Sequence, residues 1–178
     1  MPGRNTMRRM PHPFPRKSNR GVTLVELCFG MTILVLLAGL AAPSFRASAR
    51  VAAVRAGTYE LLAGLQQTRG ASILESRPAF LCPSDADGTC LPAAQASTSW
   101  QASLEAGANP AQLEHHALPA GVTVRASRSP LRFWPDALAA STGTLTICDV
   151  QRVAPPRAIV LSLSGRARIA TAPATACP

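Results

Sequence analysis

The sequence predicts an α+β fold in which one long N-terminal helix packs against a C-terminal antiparallel β-sheet domain. Two observations predict this fold. Apolar residues dominate positions 22–42, and a helical pattern continues from there to about Glu75. After residues 76–78 the sequence changes to short strand-forming runs separated by turn residues. With 178 residues, the chain has room for one modest domain and an appendage.

The apolar segment 22–42 is long enough to cross a membrane. As a helix, its 21 residues span about 31 Å, against about 30 Å for the hydrocarbon core of a bilayer. Six positive charges and no acid precede the segment. By the positive-inside rule, these charges keep residues 1–20 in the cytoplasm and send the rest of the chain outward.

Glu26 is the only charge within this segment. A carboxylate at the membrane centre costs about 2.5–3.5 kcal/mol, and an ordinary signal peptide gains nothing from it. Small residues at 39–41 still leave open a signal peptide that is cleaved there. A lipoprotein signal does not fit, because Glu26 and Leu27, not small residues, precede Cys28.

Residues 20–27, with the sequence Arg-Gly-Val-Thr-Leu-Val-Glu-Leu, resemble the leader junction of type IV prepilins and type II secretion pseudopilins. The resemblance implies that a prepilin peptidase cleaves between Gly21 and Val22 and that Val22 is then N-methylated. It also implies bacterial inner-membrane localisation and a role for Glu26 in assembly with other pilins or pseudopilins. There, the carboxylate of Glu26 would neutralise the α-ammonium group of a neighbouring subunit. Valine replaces the commoner phenylalanine after the cleavage site, and the leader is long.

The second half of the helix is predicted to be amphipathic. Apolar residues recur at steps of three and four, and Thr58 fills one gap: Val51, Val54, Leu61, Leu62, Leu65 and Ile73. Such a stripe is suited to covering a sheet. Pro43, at the end of the apolar segment, predicts a kink because proline removes a helix hydrogen bond.

Seven strands are predicted in the C-terminal part, at 79–82, 99–104, 121–126, 131–134, 144–149, 158–163 and 166–170. Residues 83–98 and 105–120, rich in Pro, Ala, Ser, Asp and Gly, are predicted to be loops.

Several motifs resemble the FimT/GspH group of minor pilins and pseudopilins, over a stretch from Gly21 to about Ile169. They lie at 60–66, 81–84, 131–136, 144–149 and 165–168. The resemblance implies a pilin fold with four parts: a cleaved leader (1–21), a transmembrane and filament-core segment (22–42), an amphipathic periplasmic helix (43–76) and a β-rich globular domain (77–178).

The five cysteines separate by context. Cys28 lies in the apolar segment and is expected to act as a small apolar residue. The other four form an even set, which in an exported protein suggests two disulfides. Three pairings are possible. We expect Cys82 with Cys90, across a turn-forming sequence, and Cys148 with Cys177.

The net charge of +9 is distributed unevenly. From Gly121 onward there are seven arginines and two acids, which indicates either a polyanionic partner or a solvated basic face. On a strand, Arg166 and Arg168 would present adjacent guanidinium groups, and these bind phosphate well. The sequence Gly165-Arg-Ala-Arg resembles that of FimT-like pilins that bind DNA in natural transformation, and we expect Arg152 and Arg157 to extend the patch.

No motif predicts an active site, a cofactor or a metal. The segment 85–88 resembles the start of a calcium loop but lacks its later glutamate, and adjacent histidines such as His115 and His116 point in different directions. We therefore expect a non-enzymatic FimT-like minor pilin that binds DNA for uptake. The alternatives are a GspH-like pseudopilin that contacts proteins at the tip of a type II secretion pseudopilus, and a periplasmic domain of some other activity.

Overall fold

The computed structural model describes residues 21–106, 110–136 and 139–177, with the backbone alone for 41–43. The leader predicted for residues 1–20 lies outside the described residues. The chain forms two compact units, one up to Ala41 and one from Ala42 onward. Pro43 lies at this boundary, and its side chain is not among those described.

Helix α1 spans Leu24–Leu74. In the first unit its apolar side chains are all exposed, from Leu24 at 78% to Leu40 at 79%. No single helix within the described residues is long and apolar enough to cross a membrane. Leu24–Leu40 and Ser44–Leu74 meet that requirement as a pair, on length and composition.

In the second unit, the buried face of α1 begins with the predicted apolar residues but does not end at the predicted one. Val54, Leu61 and Leu65 are buried, but Ile73 is 42% exposed. The stripe continues instead through Thr68 and Ser72, because steps of three and four from Leu65 reach these positions. The buried hydroxyl groups are satisfied, since Thr68 Oγ1 donates to the Gly64 carbonyl (2.6 Å) and Ser72 Oγ to the Phe133 carbonyl (3.2 Å).

Nine strands follow in the part of the chain that the structure describes, and they form two antiparallel sheets. They are β1 Ala79–Ser84, β2 Ala96–Ser97, β3 Ser99–Leu104, β4 Ala111–Ala117, β5 Val122–Ala126, β6 Leu131–Phe133, β7 Gly143–Asp149, β8 Arg157–Leu161 and β9 Ala167–Thr171. The four-stranded sheet has the order β4-β3-β1-β6, and the five-stranded sheet has the order β2-β5-β7-β8-β9. A short 3-10 helix, Ala174–Ala176, ends the described chain.

The seven predicted strands are present, but two further strands lie in segments predicted as loops. Strand β2 has two residues, too few to show an alternating pattern. Strand β4 lies at the edge of its sheet, where β3 is its one partner among the described strands, and most of its side chains are exposed. Because neither face of β4 is buried, its sequence lacks the alternation that marks a half-buried strand.

The core lies between α1 and the two sheets. Trp100 on β3 packs beneath Gly64 of α1, where a Cβ atom would lie 2.7 Å from the indole Cζ3. The indole N–H of Trp100 donates to Glu60 Oε1 at 3.1 Å. The glycine at position 64 therefore has a packing role, because it lets the helix lie directly on the largest side chain of the core.

Both expected disulfides are present. Cys82–Cys90 closes a separation of eight residues and Cys148–Cys177 one of 29, while Cys28 is free and exposed. The second disulfide ties the C-terminal 3-10 helix region to β7.

Candidate nucleic-acid interface

The five-stranded sheet has two ends, defined by the residues of α1 beside them. At the distal end, the turn from β8 to β9 (162–166) contacts Arg69 of α1. At the proximal end, the Ala120 carbonyl accepts a hydrogen bond from Arg50 of α1. The β7–β8 loop (150–156) also lies at this end and follows Asp149, the last residue of β7. The 19 residues that separate Arg50 from Arg69 correspond to about 28 Å of helix.

Gly165 forms the distal turn. Its φ of 72° lies in the left-handed region, and its N–H donates to the Ser162 carbonyl at 2.9 Å. Arg69 Nη1 donates to the Gly165 carbonyl at 3.4 Å, and a Cβ atom at position 165 would lie 3.1 Å from Arg69 Nε. The backbone conformation and the nearby Arg69 side chain therefore favour glycine at this position, and the turn that it forms leads directly into Arg166.

Arg166 and Arg168 stand on the outer face of the sheet. Arg168 lies opposite Val160 of β8, and Arg166 opposite Ser162, whose N–H donates to the Arg166 carbonyl at 3.1 Å. The alternate residue Ala167 packs against the core, so both arginines point away from it. Both are exposed, and within the described part of the chain neither forms an ion pair.

A groove of about 870 Å³ lies beside these arginines. Val160 and Ser162, the cross-strand partners of Arg168 and Arg166, line it on the β8 side. Arg128, just after β5, lines the other side and also lacks an ion pair among the described residues. Five hydroxyl residues contribute to the groove: Ser127, Thr142, Thr144, Ser162 and Ser164. Three strand spacings separate β5 from β9, so the arginines flank a width of about 14 Å.

The structure does not bring Arg152 and Arg157 into this cluster. The expectation that these two residues extend the patch of Arg166 and Arg168 is therefore wrong. Arg157 is the first residue of β8, at the proximal end, and lies opposite Thr171. Residues two apart on a strand face the same side, so Arg157 is on the same face of β8 as the core residues Ile159 and Leu161. Its side chain therefore emerges on the other face of the sheet from Arg168. Arg152 lies in the proximal loop.

Other arginines have structural roles. The side chain of Arg125 donates to the carbonyls of Ala94 (2.8 Å) and Ala176 (3.2 Å), Arg77 donates to the Glu105 carbonyl (2.9 Å), and Arg132 pairs with the Glu105 carboxylate (2.7 Å). The charge count of the C-terminal region therefore overstates the positive charge that is available to a ligand. Arg128, which the sequence motif did not include, belongs to the available set.

Asp149 organises the proximal loop. It is 3% exposed, and its carboxylate accepts hydrogen bonds from the N–H groups of Gln151 (3.3 Å), Val153 (2.9 Å) and Ala154 (3.1 Å). Burial on its own raises the pKa of Asp149, but these hydrogen bonds and the charge of Arg50 together hold the pKa below its ordinary value of 3.8. The residue is therefore a buried, ionised cap for the loop.

The residues of the predicted cleavage site are exposed at the start of α1. Gly21, Val22 and Thr23 precede the helix, and Thr23 Oγ1 accepts a hydrogen bond from the N–H of Glu26 at 3.3 Å. Threonine followed three residues later by glutamate is a capping-box sequence. The Thr23 hydroxyl thus caps the helix N-terminus, and a cut after Gly21 would leave this cap intact.

The other polar motifs, at 85–88 and 115–116, take part in local hydrogen bonds and ring contacts. Asp85 Oδ1 accepts from the N–H groups of Asp87 (3.1 Å) and Thr89 (2.7 Å). His115 Nε2 lies 3.3 Å from the Asp85 carbonyl, and the ring of His116 stacks on Trp100 with centroids 5.2 Å apart. Within the described residues, no group of three or more His, Cys, Asp or Glu is placed to hold a metal ion.

Comparison with known proteins agrees with this fold. The family model of the type II transport protein GspH matches residues 58–165, more than half of the chain. The crystal structure of the type IV minor pilin FimU of Pseudomonas aeruginosa strain PAO1 has a similar fold, with a TM-score of 0.50 and 19% identity over 68% of this chain and 90% of FimU. A second crystal form of FimU gives a TM-score of 0.47 at 19% identity, over 68% of this chain and 94% of that one. No curated protein sequence matches.

The helix followed by two antiparallel sheets is thus the pilin fold seen in FimU. From the extent of the family match, the chain belongs to the GspH family, within the FimT/GspH group of type IV pilin-like minor pilins and pseudopilins, whose members assemble into pili or pseudopili.

Proposed function

We propose that this chain is a FimT-like minor pilin that captures DNA for uptake, by binding and not by catalysis. The observation that carries the proposal is the distal groove, which is flanked by three exposed arginines that form no ion pair with any residue the structure describes: Arg128, Arg166 and Arg168. Guanidinium groups donate hydrogen bonds to phosphate in pairs, and the hydroxyl groups of the groove add neutral donors.

Binding of this kind is expected to be electrostatic and independent of base sequence. Three arginines spread over about 14 Å can contact two to four phosphates. With one phosphate contact for each arginine, a plot of the logarithm of the affinity against the logarithm of the salt concentration should have a slope of about −2.7. One subunit should bind weakly, with a Kd of about micromolar or higher at moderate salt. Several subunits on one filament would raise the apparent affinity.

The proposal includes maturation in the inner membrane. A prepilin peptidase cleaves between Gly21 and Val22, Val22 is methylated, and Glu26 pairs with the new α-ammonium of a neighbouring pilin. The exposed apolar surface of Leu24–Leu40 supports this, because such a surface needs a lipid or protein environment. Mass spectrometry of the mature N-terminus tests the step, since a chain that begins near Ala42 contradicts it.

The second candidate is a GspH-like pseudopilin of a type II secretion system, which the family match favours by name. In that case the distal arginines contact acidic protein surfaces or solvent, and DNA is not a ligand. The two candidates share the fold and the maturation, so DNA affinity distinguishes them.

The test is a titration of double-stranded DNA into the full chain in neutral detergent micelles at several salt concentrations. We expect Arg166→Gln/Arg168→Gln to lower the affinity by at least about tenfold at low salt and to make the slope shallower by about 1.8. The matched control is Arg152→Gln/Arg157→Gln, which removes the same charge from the proximal end. Equal losses in both variants, or no binding by the wild type at low salt, contradict the proposal and favour the pseudopilin.

A further inference from the structure

The proximal end carries a second surface, in which exposed apolar and basic side chains lie together. Val150 and Val153 of the β7–β8 loop are 62% and 51% exposed, and Arg152 between them is exposed as well. Arg46, also exposed, lies one turn before Arg50 on the same face of α1. These four residues, Arg46, Val150, Arg152 and Val153, are here called the proximal surface.

The loop that presents these side chains is held in place by buried polar contacts. The carboxylate of Asp149 accepts three N–H groups of the loop, and the N–H of Val150 donates to the Gly121 carbonyl at 2.9 Å. Arg50 Nη1 donates to the adjacent Ala120 carbonyl at 3.1 Å. Arg152 has a φ of 56°, a conformation that costs a non-glycine residue free energy. The hydrogen-bonded loop therefore holds both valine side chains in exposed positions, where the rest of the domain does not cover them.

The exposed charge at this end is all positive. Within residues 44–57, 119–123 and 147–157, all of which are described, Asp149 is the only acid, and it is buried. Residues 44–50, which reach this end, follow the exposed apolar segment directly in the chain. A surface of apolar and cationic side chains beside the connection to such a segment has the chemistry of a membrane interface, where apolar groups enter the headgroup region and arginines meet phosphates.

We propose that the proximal surface docks on anionic phospholipid headgroups while the chain is anchored through residues 22–42. The inference rests on the membrane anchoring included in the proposed function, and it assigns the proximal arginines to lipid and the distal ones to DNA. Lipid is the better occupant of this surface because exposed valines add nothing to phosphate binding along a nucleic acid, whereas they bury apolar area in the acyl boundary. Each arginine near an anionic bilayer strengthens the docking electrostatically.

The test uses the full chain with Cys28→Ser, so that no free thiol remains among the described cysteines, and with Val150→Cys as the site of a nitroxide label. The protein is reconstituted in vesicles of phosphatidylcholine with or without phosphatidylglycerol. Collision of the nitroxide with oxygen and with a water-soluble nickel chelate reports whether the site contacts lipid. We expect phosphatidylglycerol to make a label at position 150 less accessible to the nickel chelate and more accessible to oxygen. Arg46→Gln/Arg152→Gln should lower the ratio of docked to undocked protein by about thirtyfold, because each arginine contributes about 1 kcal/mol.

Two controls make the result specific. A label at Leu163→Cys, on the distal turn and equally exposed at 69%, should stay accessible to nickel in both lipids. Arg166→Gln/Arg168→Gln should leave the signal at position 150 unchanged. A third label, at Leu34→Cys in the apolar segment, reports anchoring independently of docking.

Three outcomes overturn the inference, and they are distinguishable. If position 34 is in lipid but position 150 keeps full nickel access in both vesicles, docking is wrong and anchoring stands. If position 34 is itself in water, the proposed anchoring fails and docking fails with it. If duplex DNA, and not phosphatidylglycerol, protects position 150 from nickel, the surface belongs to a nucleic acid.

Discussion

The two ends of the five-stranded sheet use the same residue type in different ways. At the proximal end, Arg50 is bound to the Ala120 carbonyl and supports the charge of buried Asp149. At the distal end, Arg166 and Arg168 are exposed, without an ion pair in the described part of the chain. Arginine content alone therefore does not locate a binding site. In the proposed DNA site, what matters is that exposed guanidinium groups are gathered beside one groove, which is true of Arg128, Arg166 and Arg168 but not of Arg46 and Arg152. If this contrast is correct, changes at the proximal core should cost stability, and changes at the distal arginines should cost affinity.

The largest effect expected is from the disulfide of the proximal end. In the chain-entropy model, removing Cys148–Cys177, with its separation of 29 residues, should lower the free energy of unfolding by about 3.5 kcal/mol. The matched variant, Cys82→Ser/Cys90→Ser, opens a separation of eight and should cost about 2.5 kcal/mol. Denaturant unfolding without reductant measures both. DNA affinity should stay unchanged in Cys148→Ser/Cys177→Ser under conditions where it is folded, and a large loss of affinity would break the contrast between the two ends.

The next largest effect is expected at Asp149. Its two carboxylate oxygens each accept backbone N–H groups, but asparagine offers one oxygen and turns an NH₂ group toward the other donors. Asp149→Asn should therefore lower the free energy of unfolding by about 2 kcal/mol at neutral pH. Asp87→Asn, at an exposed acid, is the control and should change it by less than about 0.5 kcal/mol.

The same variant tests the pH dependence. Because the pKa of Asp149 is lower in the folded chain than its ordinary 3.8, its contribution is fully present above that value and is lost as pH falls through the folded-state pKa. The difference in stability between wild type and Asp149→Asn should therefore shrink on acidification below about pH 4. A difference that is constant down to pH 2 would show that the charge of Asp149 does not contribute.

The smallest effect is expected at Arg128, and it tests whether this residue belongs to the distal binding site. Arg128 is separated from the Gly-Arg-x-Arg sequence but lines the same groove. Arg128→Gln should weaken DNA binding by about fivefold at low salt and make the salt slope shallower by about 0.9, because one phosphate contact is lost. Arg152→Gln, which removes one exposed arginine from the other end, is the matched control. If the two variants behave alike, the groove is not the binding site and the effect is one of net charge.

Much of the fold could be predicted because its signals are local. The helix end, predicted near Glu75 and found at Leu74, follows from periodicity, and the seven predicted strands follow from short apolar runs between turn residues. Strand β4 could not be predicted, since an edge strand with exposed faces carries no alternating pattern. The end of the buried stripe was missed for a related reason. Ser72 is buried with its hydroxyl donating to the Phe133 carbonyl, a partner 61 residues away that the helix sequence does not reveal.

The sequence alone predicted the family and the two disulfide pairings, which the family match and the structure confirm, because each depends on short motifs or on the number and context of the cysteines. The leader junction after Gly21 and the Gly165-Arg-Ala-Arg site stay predictions. Tertiary structure alone decided which arginines stand together. Arg128 joins Arg166 and Arg168 through the pairing of β5, β7, β8 and β9, whereas Arg157, nearer to them in sequence, leaves on the opposite face of β8. The physical reason is that side chains alternate across a strand and neighbouring strands bring together residues from distant segments, so a surface patch is set by register and not by sequence distance.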